Sequence, residues 1–215
     1  MMKMIQTMLE WIERENRSLV IGISGHGAAG KTTFTEQLVE RLPFDVNVLN
    51  TDPYIVSSDI RKYTMMPYTY EGVAYTSKMT ACHPAAHFIP ALERDIAMVH
   101  NGLDVMTIDA HYAPSERLHR KHRITIVEGM SVAFAHADLF DVRLYFYTDS
   151  ETEFHRRASR DITERGMKLD YLKASHNDRR MQYELFMHPY SEQFDIVVKS
   201  TIAQPWIVEK NTFSI

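Results

Sequence analysis

The sequence predicts an α/β fold organised on a parallel sheet, and three observations carry the prediction. Short, nearly all-apolar runs rich in β-branched residues recur along the chain, as strands covered on both faces require. They alternate with stretches of helical spacing, the order that yields parallel strands joined by right-handed crossovers. A loop rich in glycine and alanine links the first apolar run to the helix after it. The 215 residues are 45% hydrophobic and 24% charged, which supplies a sizeable core and excludes a disordered or fibrous chain. At roughly 150 residues per domain and with no low-complexity linker, one domain over 1–215 is expected. Against 28 acidic residues stand 24 basic ones, a net charge of −4, which argues against a general nucleic-acid binder. No apolar run approaches the roughly 18 residues of a membrane span. Charges throughout MMKMIQTMLEWIERENRS exclude a signal-peptide core. The single cysteine, Cys82, fits a reducing, cytoplasmic setting.

Each element follows from its local pattern. Met4, Met8, Trp11, Ile12 and Glu15 trace one helical face, so residues 2–16 read as a surface helix within an N-terminal segment 1–17. LVIGIS (Leu19–Ser24) is the first buried strand. TTFTEQLVERL has helical spacing through Phe34, Leu38, Val39 and Leu42 until Pro43 stops it, and VNVLN (46–50) is the second strand. Residues 53–80 carry Tyr, Thr, Ser, Met and Pro without periodicity, and so long an irregular connection reads as functional or mobile. After His83-Pro84, Phe88, Leu92, Ile96 and Val99 space a helix that Asn101-Gly102 closes. DVMTI (104–108) and ITIVE (124–128) read as strands around a basic loop, and VRLYFYT (142–148) as another. Ser150 reads as the cap of an Arg-rich helix ending at Gly166, a further helical pattern covers 168–187, and DIVV (195–198) is the last strand. No pattern is legible after Lys199.

Gly25-His26-Gly27-Ala28-Ala29-Gly30-Lys31-Thr32 satisfies G-x-x-x-x-G-K-[ST] between a strand and a helix, the phosphate-loop signature. Glycines let successive N–H groups turn inward on phosphate oxygens, and the helix after them adds its positive end. Lys31 places an ammonium between the β- and γ-phosphates, and Thr32 offers a hydroxyl to Mg²⁺. His26 reads as a solvated loop histidine.

Two carboxylates stand near this loop in sequence logic. Glu128 ends an apolar strand, where it can support the metal. Asp52 follows the second strand in Thr51-Asp52-Pro53-Tyr54, and it reads either as a base for an attacking hydroxyl or as a turn-forming Asp before Pro. Arg156, Arg157, Arg160 and Arg165 crowd one helix, a repulsion that a polyanion would relieve and that a solvated face would also tolerate. N-K-x-D, H-R-D and D-F-G are absent, which speaks against a GTPase switch and a protein kinase.

With these residues assembled, the chain resembles the uridine kinase branch of the phosphoribulokinase and pantothenate kinase superfamily from Leu19 to about Val198. The matching pieces are IGISGHGAAGKTT, Asp52-Pro53-Tyr54, His83-Pro84, VEG (127–129), YTDSE (147–151), RRASRDITERG (156–166) and the close Pro189…Phe194-Asp195-Ile196. The resemblance implies a P-loop kinase-type parallel sheet of about five strands flanked by helices, with an Arg-bearing lid in 150–187. It implies ATP and Mg²⁺ as cofactors and a small-molecule acceptor; composition argues against a nucleic-acid or membrane partner, and a homo-oligomer is left open. It favours Asp52 as the base, with Lys31, Arg157 and Arg160 as the other catalytic residues. Gly25, Gly27, Ala28, Ala29, Gly30, Lys31, Thr32, Thr33 and Arg160 would hold ATP, and Thr32, Glu128 and Asp52 the metal. Tyr54, His83, Asp109 and Arg165 are acceptor-side candidates.

Departures fall on the acceptor side. Cys82 replaces an Asp that holds ribose hydroxyls, Ile108-Asp109-Ala110 and Ala113 replace the base-reading segment, and Met167 replaces an Arg. Polar readers turned apolar lose their selectivity, so uridine is not the expected acceptor. Tyr54, Tyr63, Tyr68, Tyr70, Tyr75 and Asp109 could shape a different pocket. The expected function is uridine kinase-like, ATP-dependent phosphoryl transfer to a hydroxyl of a small metabolite, with a nucleoside-like, vitamin-like or sugar-phosphate acceptor. The alternatives are a non-catalytic nucleotide-binding relative and, less favoured, an ATPase or GTPase switch.

Overall fold

The apolar runs fold into the sheet they predict, but the segments between them are more structured than their sequence suggests. The computed structural model describes residues 2–163, 168–204 and 206–213, without the side chains of Met2, Arg160, Thr163, Tyr171 and Ala174. In chain order the elements are α1 (Met2–Arg14), β1 (Leu19–Gly25), α2 (Lys31–Val39), β2 (Asn47–Asn50), α3 (Ser58–Arg61), β3 (Met65–Tyr70) and β4 (Val73–Lys78). There follow α4 (Ile89–His100), β5 (Val105–Met106), β6 (Arg117–Leu118), β7 (Ile124–Glu128), β8 (Val142–Thr148), α5 (Ser150–Thr163), α6 (Leu169–Phe186), β9 (Ile196–Ser200) and β10 (Ile207–Asn211).

Among the described residues the main sheet has six strands in the order β10-β9-β8-β1-β7-β2. β1 is central and wholly buried, pairing in parallel with β7 (Gly22 opposite Val127) and β8 (Gly22 opposite Arg143). β2 and β9 extend the parallel set outward. Alternate residues of β1 serve opposite faces, as the strand period demands. Leu19, Ile21 and Ile23 join a core with Met8, Trp11 and Ile12 of α1 and Phe34 and Leu38 of α2. Val20 joins the other core with Tyr54, Leu92, Ile96 and Tyr183. Helices thus cover both faces of an α/β sheet.

The expected parallel set of about five strands is β9, β8, β1, β7 and β2; one strand adds to it, and three expectations need correction. The sheet has a sixth strand: β10, in the tail where no pattern was legible, pairs antiparallel with β9. It carries Trp206 in front of it, against Phe34 and Phe146 with ring centroids 5.4 and 5.7 Å away. DVMTI contributes no strand to the main sheet; Val105–Met106 pair only with Arg117–Leu118 in a separate ribbon. Segment 53–80 is not irregular, since it holds α3 and the β3–β4 hairpin, which turns at Glu71-Gly72. Its alternation escapes notice because β3 and β4 are mostly exposed on both faces, so no apolar face is written into them. The cap of α5 is Asp149 rather than Ser150: its carboxylate accepts from Thr152 N at 2.7 Å and Thr152 Oγ1 at 3.0 Å.

Candidate active site

The C-terminal ends of β1, β7, β2 and β8 open on one edge of the sheet, the place where parallel α/β sheets bind ligands. β1 leaves at Gly25, whose φ of +134° and close approach forbid a side chain: a Cβ there would stand 1.8 Å from Phe146 O. The loop continues through Ala28, in the left-handed region at φ 66°, to Gly30, which precedes α2. Gly129 after β7 is equally constrained, with φ +143° and a Cβ that would stand 2.0 Å from Thr51 Oγ1.

Lys31 and Thr32, the first residues of α2, turn toward Glu128. Lys31 Nζ donates to His26 O at 3.1 Å and lies 3.8 Å from Glu128 Oε1. Thr32 Oγ1 donates to Glu128 Oε2 at 3.1 Å. Burial pushes the Glu128 carboxyl up and Asp52 adds to this, while Lys31 opposes it. A hydroxyl and a carboxylate are the hard oxygen donors that Mg²⁺ takes, so these residues fit that ion. No group of three or more His, Cys, Asp or Glu able to hold a metal occurs among the described residues.

Asp52 begins the short turn after β2, is exposed, and donates its backbone N–H to Asn50 Oδ1 at 2.9 Å. Its backbone carbonyl accepts from Tyr112 OH at 3.2 Å, which brings the 107–116 loop over the same edge.

His26 is not solvated. It is fully buried, and its Nε2 accepts from Thr148 N at 2.9 Å while Nδ1 meets Gly27 O at 2.8 Å. That pattern sets a neutral ring with the proton on Nδ1. Burial lowers its pKa to about 4 despite Glu153, whose Oε2 lies 3.8 Å from Nδ1. The imidazole therefore ties the phosphate loop to the C-terminal end of β8, just before α5.

Glu153 is the centre of a cationic cluster that the sequence reading did not assemble. Its carboxylate, buried on α5, faces Arg157 Nη1 at 3.7 Å, Arg179 Nε at 3.6 Å and Arg180 Nη1 at 3.5 Å. Burial opposes its ionisation, yet His26, Arg179 and Arg157 outweigh that and hold its carboxyl below the ordinary range. Arg180 also donates to Thr148 O at 3.0 Å, and Arg179 Nη2 would lie 3.2 Å from a Cβ on Gly27. Of the expected arginines, Arg157 sits in this cluster and also lies 3.9 Å from Asp161. Arg156 donates to Ala28 O at 3.2 Å and to Ser200 Oγ at 2.9 Å, which braces the loop. The side chain of Arg160 and all of Arg165 and Met167 lie outside the described residues. The adjacent Arg179-Arg180 pair, four and three residues before Tyr183 on an otherwise ordinary helix, was the signal available in the sequence.

The acceptor-side candidates take different places. Tyr54 is buried, with its OH bonded to Asp95 and its pKa raised by burial. His83 Nδ1 accepts from Ala85 N at 3.1 Å and its ring packs on Phe186. Asp109 accepts from Ser115 N at 3.0 Å and so closes its own loop. Tyr68 stacks on Tyr75 and Tyr70 bonds Glu184, which fastens the hairpin to α6, whereas Tyr63 is exposed. Gln182 completes that attachment by accepting from Thr80 and donating to Ser77 Oγ and Lys78 O. Cys82 is buried, and burial pushes its thiol up.

Comparison with known proteins bears on the fold and the family. A uridine kinase of Lactobacillus helveticus (strain DPC 4571) is 28% identical over 190 residues, covering 85% of this chain and 86% of that protein. Among solved structures, phosphoribulokinase from Rhodobacter spheroides superposes with a TM-score of 0.60 at 14% identity, over 86% of this chain and 71% of that one. D-glycerate 3-kinase from Cryptococcus neoformans var. grubii superposes at 0.58 with 11% identity, over 95% and 97%. These two likenesses concern the fold. The profile of the phosphoribulokinase / uridine kinase family matches residues 20–204, and the chain belongs to that family of P-loop kinases.

Proposed function

We propose that the protein transfers the γ-phosphoryl group of ATP to a hydroxyl of a small metabolite. The observation that carries this reading is the convergence of Lys31, Thr32 and Glu128 at the end of the phosphate loop, with Asp52 presented from the neighbouring strand end. Lys31, now held on His26 O, is free to exchange that carbonyl for phosphate oxygens, and the loop N–H groups and the start of α2 add to the positive field. Thr32, Glu128 and Asp52 would hold Mg²⁺, which when bound neutralises charge on the phosphates. Asp52 accepts the proton of the attacking hydroxyl, and Arg157 and Arg160 offset the charge that spreads over the transferring group. Phosphoryl transfer asks for positioning and electrostatics more than covalent chemistry, which this set of residues supplies.

The departures at Cys82 and Ile108–Ala110 favour an acceptor other than uridine. ADP release is to be measured against nucleosides, nicotinamide riboside, pantothenate and sugar phosphates, in the wild type and in Asp52→Asn. The expected result is stimulation by at least one acceptor and a loss on the order of a hundredfold or more in Asp52→Asn, with ATP binding retained. If no acceptor lifts turnover above hydrolysis by water and Asp52→Asn changes nothing, the chain is a nucleotide-binding protein without transferase activity.

A further inference from the structure

Beyond the phosphate loop, the cleft carries a positive charge that no protein group neutralises among the described residues. Arg61, at the end of α3, is partly buried and held by two neutral carbonyls: Nε donates to Val56 O at 2.7 Å and Nη1 to Met79 O at 3.1 Å. These bonds aim the guanidinium and leave its charge uncompensated, for no carboxylate of the described residues forms an ion pair with it. A partly desolvated cation without a counterion is costly to the free protein.

The surroundings increase the charge. Burial lowers the Arg61 pKa and repulsion from Arg179 lowers it further. Arg179 shares Glu153 with Arg157 and Arg180, and its Nε is buried without a hydrogen bond. Cys82, which both arginines influence, is a buried thiol held protonated and so supplies no negative charge. Tyr112 lies between the two functions of this side: its hydroxyl bonds the Asp52 carbonyl, and burial raises its pKa, with Asp52 adding to the shift and Arg61 opposing it. A γ-phosphate in the loop would be met by Lys31 and Arg179, which leaves Arg61 for a second anion.

We infer that the acceptor is itself an anion, a small hydroxylated molecule whose phosphate or carboxylate is bound by Arg61 while its hydroxyl is presented to Asp52. The inference rests on the kinase reading and narrows its substrate class. A neutral nucleoside would leave Arg61 without a counterion, so the site discriminates against it.

The test pairs acceptors that differ in the anion: ribose 5-phosphate against ribose, and glycerate against glycerol, followed by ADP release with ATP and Mg²⁺. In parallel, inorganic phosphate is titrated calorimetrically into the protein saturated with a non-hydrolysable ATP analogue. The anionic member of at least one pair is expected to turn over about tenfold better or more, as a charge-assisted bond allows. Arg61→Gln is expected to raise its acceptor KM about ten- to a hundredfold, to weaken phosphate binding similarly, and to leave the larger effect on acceptor rather than ATP. Arg61→Lys, which keeps the charge, recovers part of the loss; equal damage to neutral and anionic acceptors in both variants would instead mark Arg61 as a loop staple and overturn the inference. Preference for the sugar phosphate assigns a phosphate, and preference for glycerate a carboxylate. If neutral members turn over equally well and phosphate does not bind, the inference fails while the kinase reading stands. If phosphate binds through Arg61 and no acceptor is phosphorylated, the anion site stands and the kinase reading fails.

Discussion

Around Lys31 the cleft is lined by main chain held on the ends of adjacent parallel strands, whereas around Arg61 it is lined by side chains on segments that leave the sheet. The first region owes its shape to positions where a Cβ cannot stand, at Gly25 and Gly129. The second owes its shape to attachments such as Tyr70 to Glu184, Gln182 to the foot of the β3–β4 hairpin, and Tyr112 to the Asp52 carbonyl. A site made from backbone tolerates few sequences, while one made from hung side chains can be rebuilt without disturbing the sheet. One scaffold can thus keep its phosphate donor and change its acceptor.

That contrast breaks first at the backbone. Gly25→Ala is expected to cost about 4 kcal/mol, because the new methyl meets the Phe146 carbonyl at a φ that L side chains avoid. Thermal unfolding with and without ATP reads this loss, and a near-neutral change would show that the loop is softer than its contacts imply.

The next largest effect compares two buried histidines, one in each region. His26 lies under the phosphate loop, and His87 near the acceptor side bonds Ser131 Oγ and Ala81 O. Burial lowers both to about 4. Their folded pKa values lie below the unfolded value of about 6.5, so the unfolded chain binds more protons between those limits. Stability therefore falls as pH drops from about 6.5 to about 4, by up to about 1.4 kcal/mol per pH unit for each histidine. Urea titrations at pH 6.5 and 5.5 on the wild type and on His26→Gln measure the slope. A slope unchanged in the variant would remove His26 from the account.

The smallest effect concerns the hairpin. Tyr70→Phe deletes one side-chain bond to Glu184 at a partly exposed site and should cost about 1 kcal/mol or less. Faster amide exchange confined to 65–78 is the expected signature; exchange that spreads to β1 would mean that the two regions are coupled more tightly than their construction suggests.

The same contrast explains what could be read from the sequence. The phosphate loop, β1, β7 and β8 are legible because buried parallel strands must be apolar and a phosphate cradle must be glycine-rich. Arg61, Arg179 and Glu153 are illegible because their meaning arises from three elements far apart in sequence meeting at one point. His26 is illegible for a related reason: a histidine in a polar loop looks solvated, and only the fold shows Thr148 and Tyr183 closing over it. The β3–β4 hairpin and β10 escaped because half-exposed edge pieces carry no apolar face to betray them.

The antiparallel edge strand has an optical consequence. The chain has two tryptophans. Trp11 is sealed in the core against Phe213, away from the cleft, while the Trp206 indole Nε1 stands 3.6 Å from where a side chain on Gly30 would begin. The protein thus contains a fluorophore beside the last glycine of its phosphate loop and a second one that serves as a constant background. Nucleotide arrival at Gly30 is expected to change its emission, which an ATP titration reads without a label and without any knowledge of the acceptor.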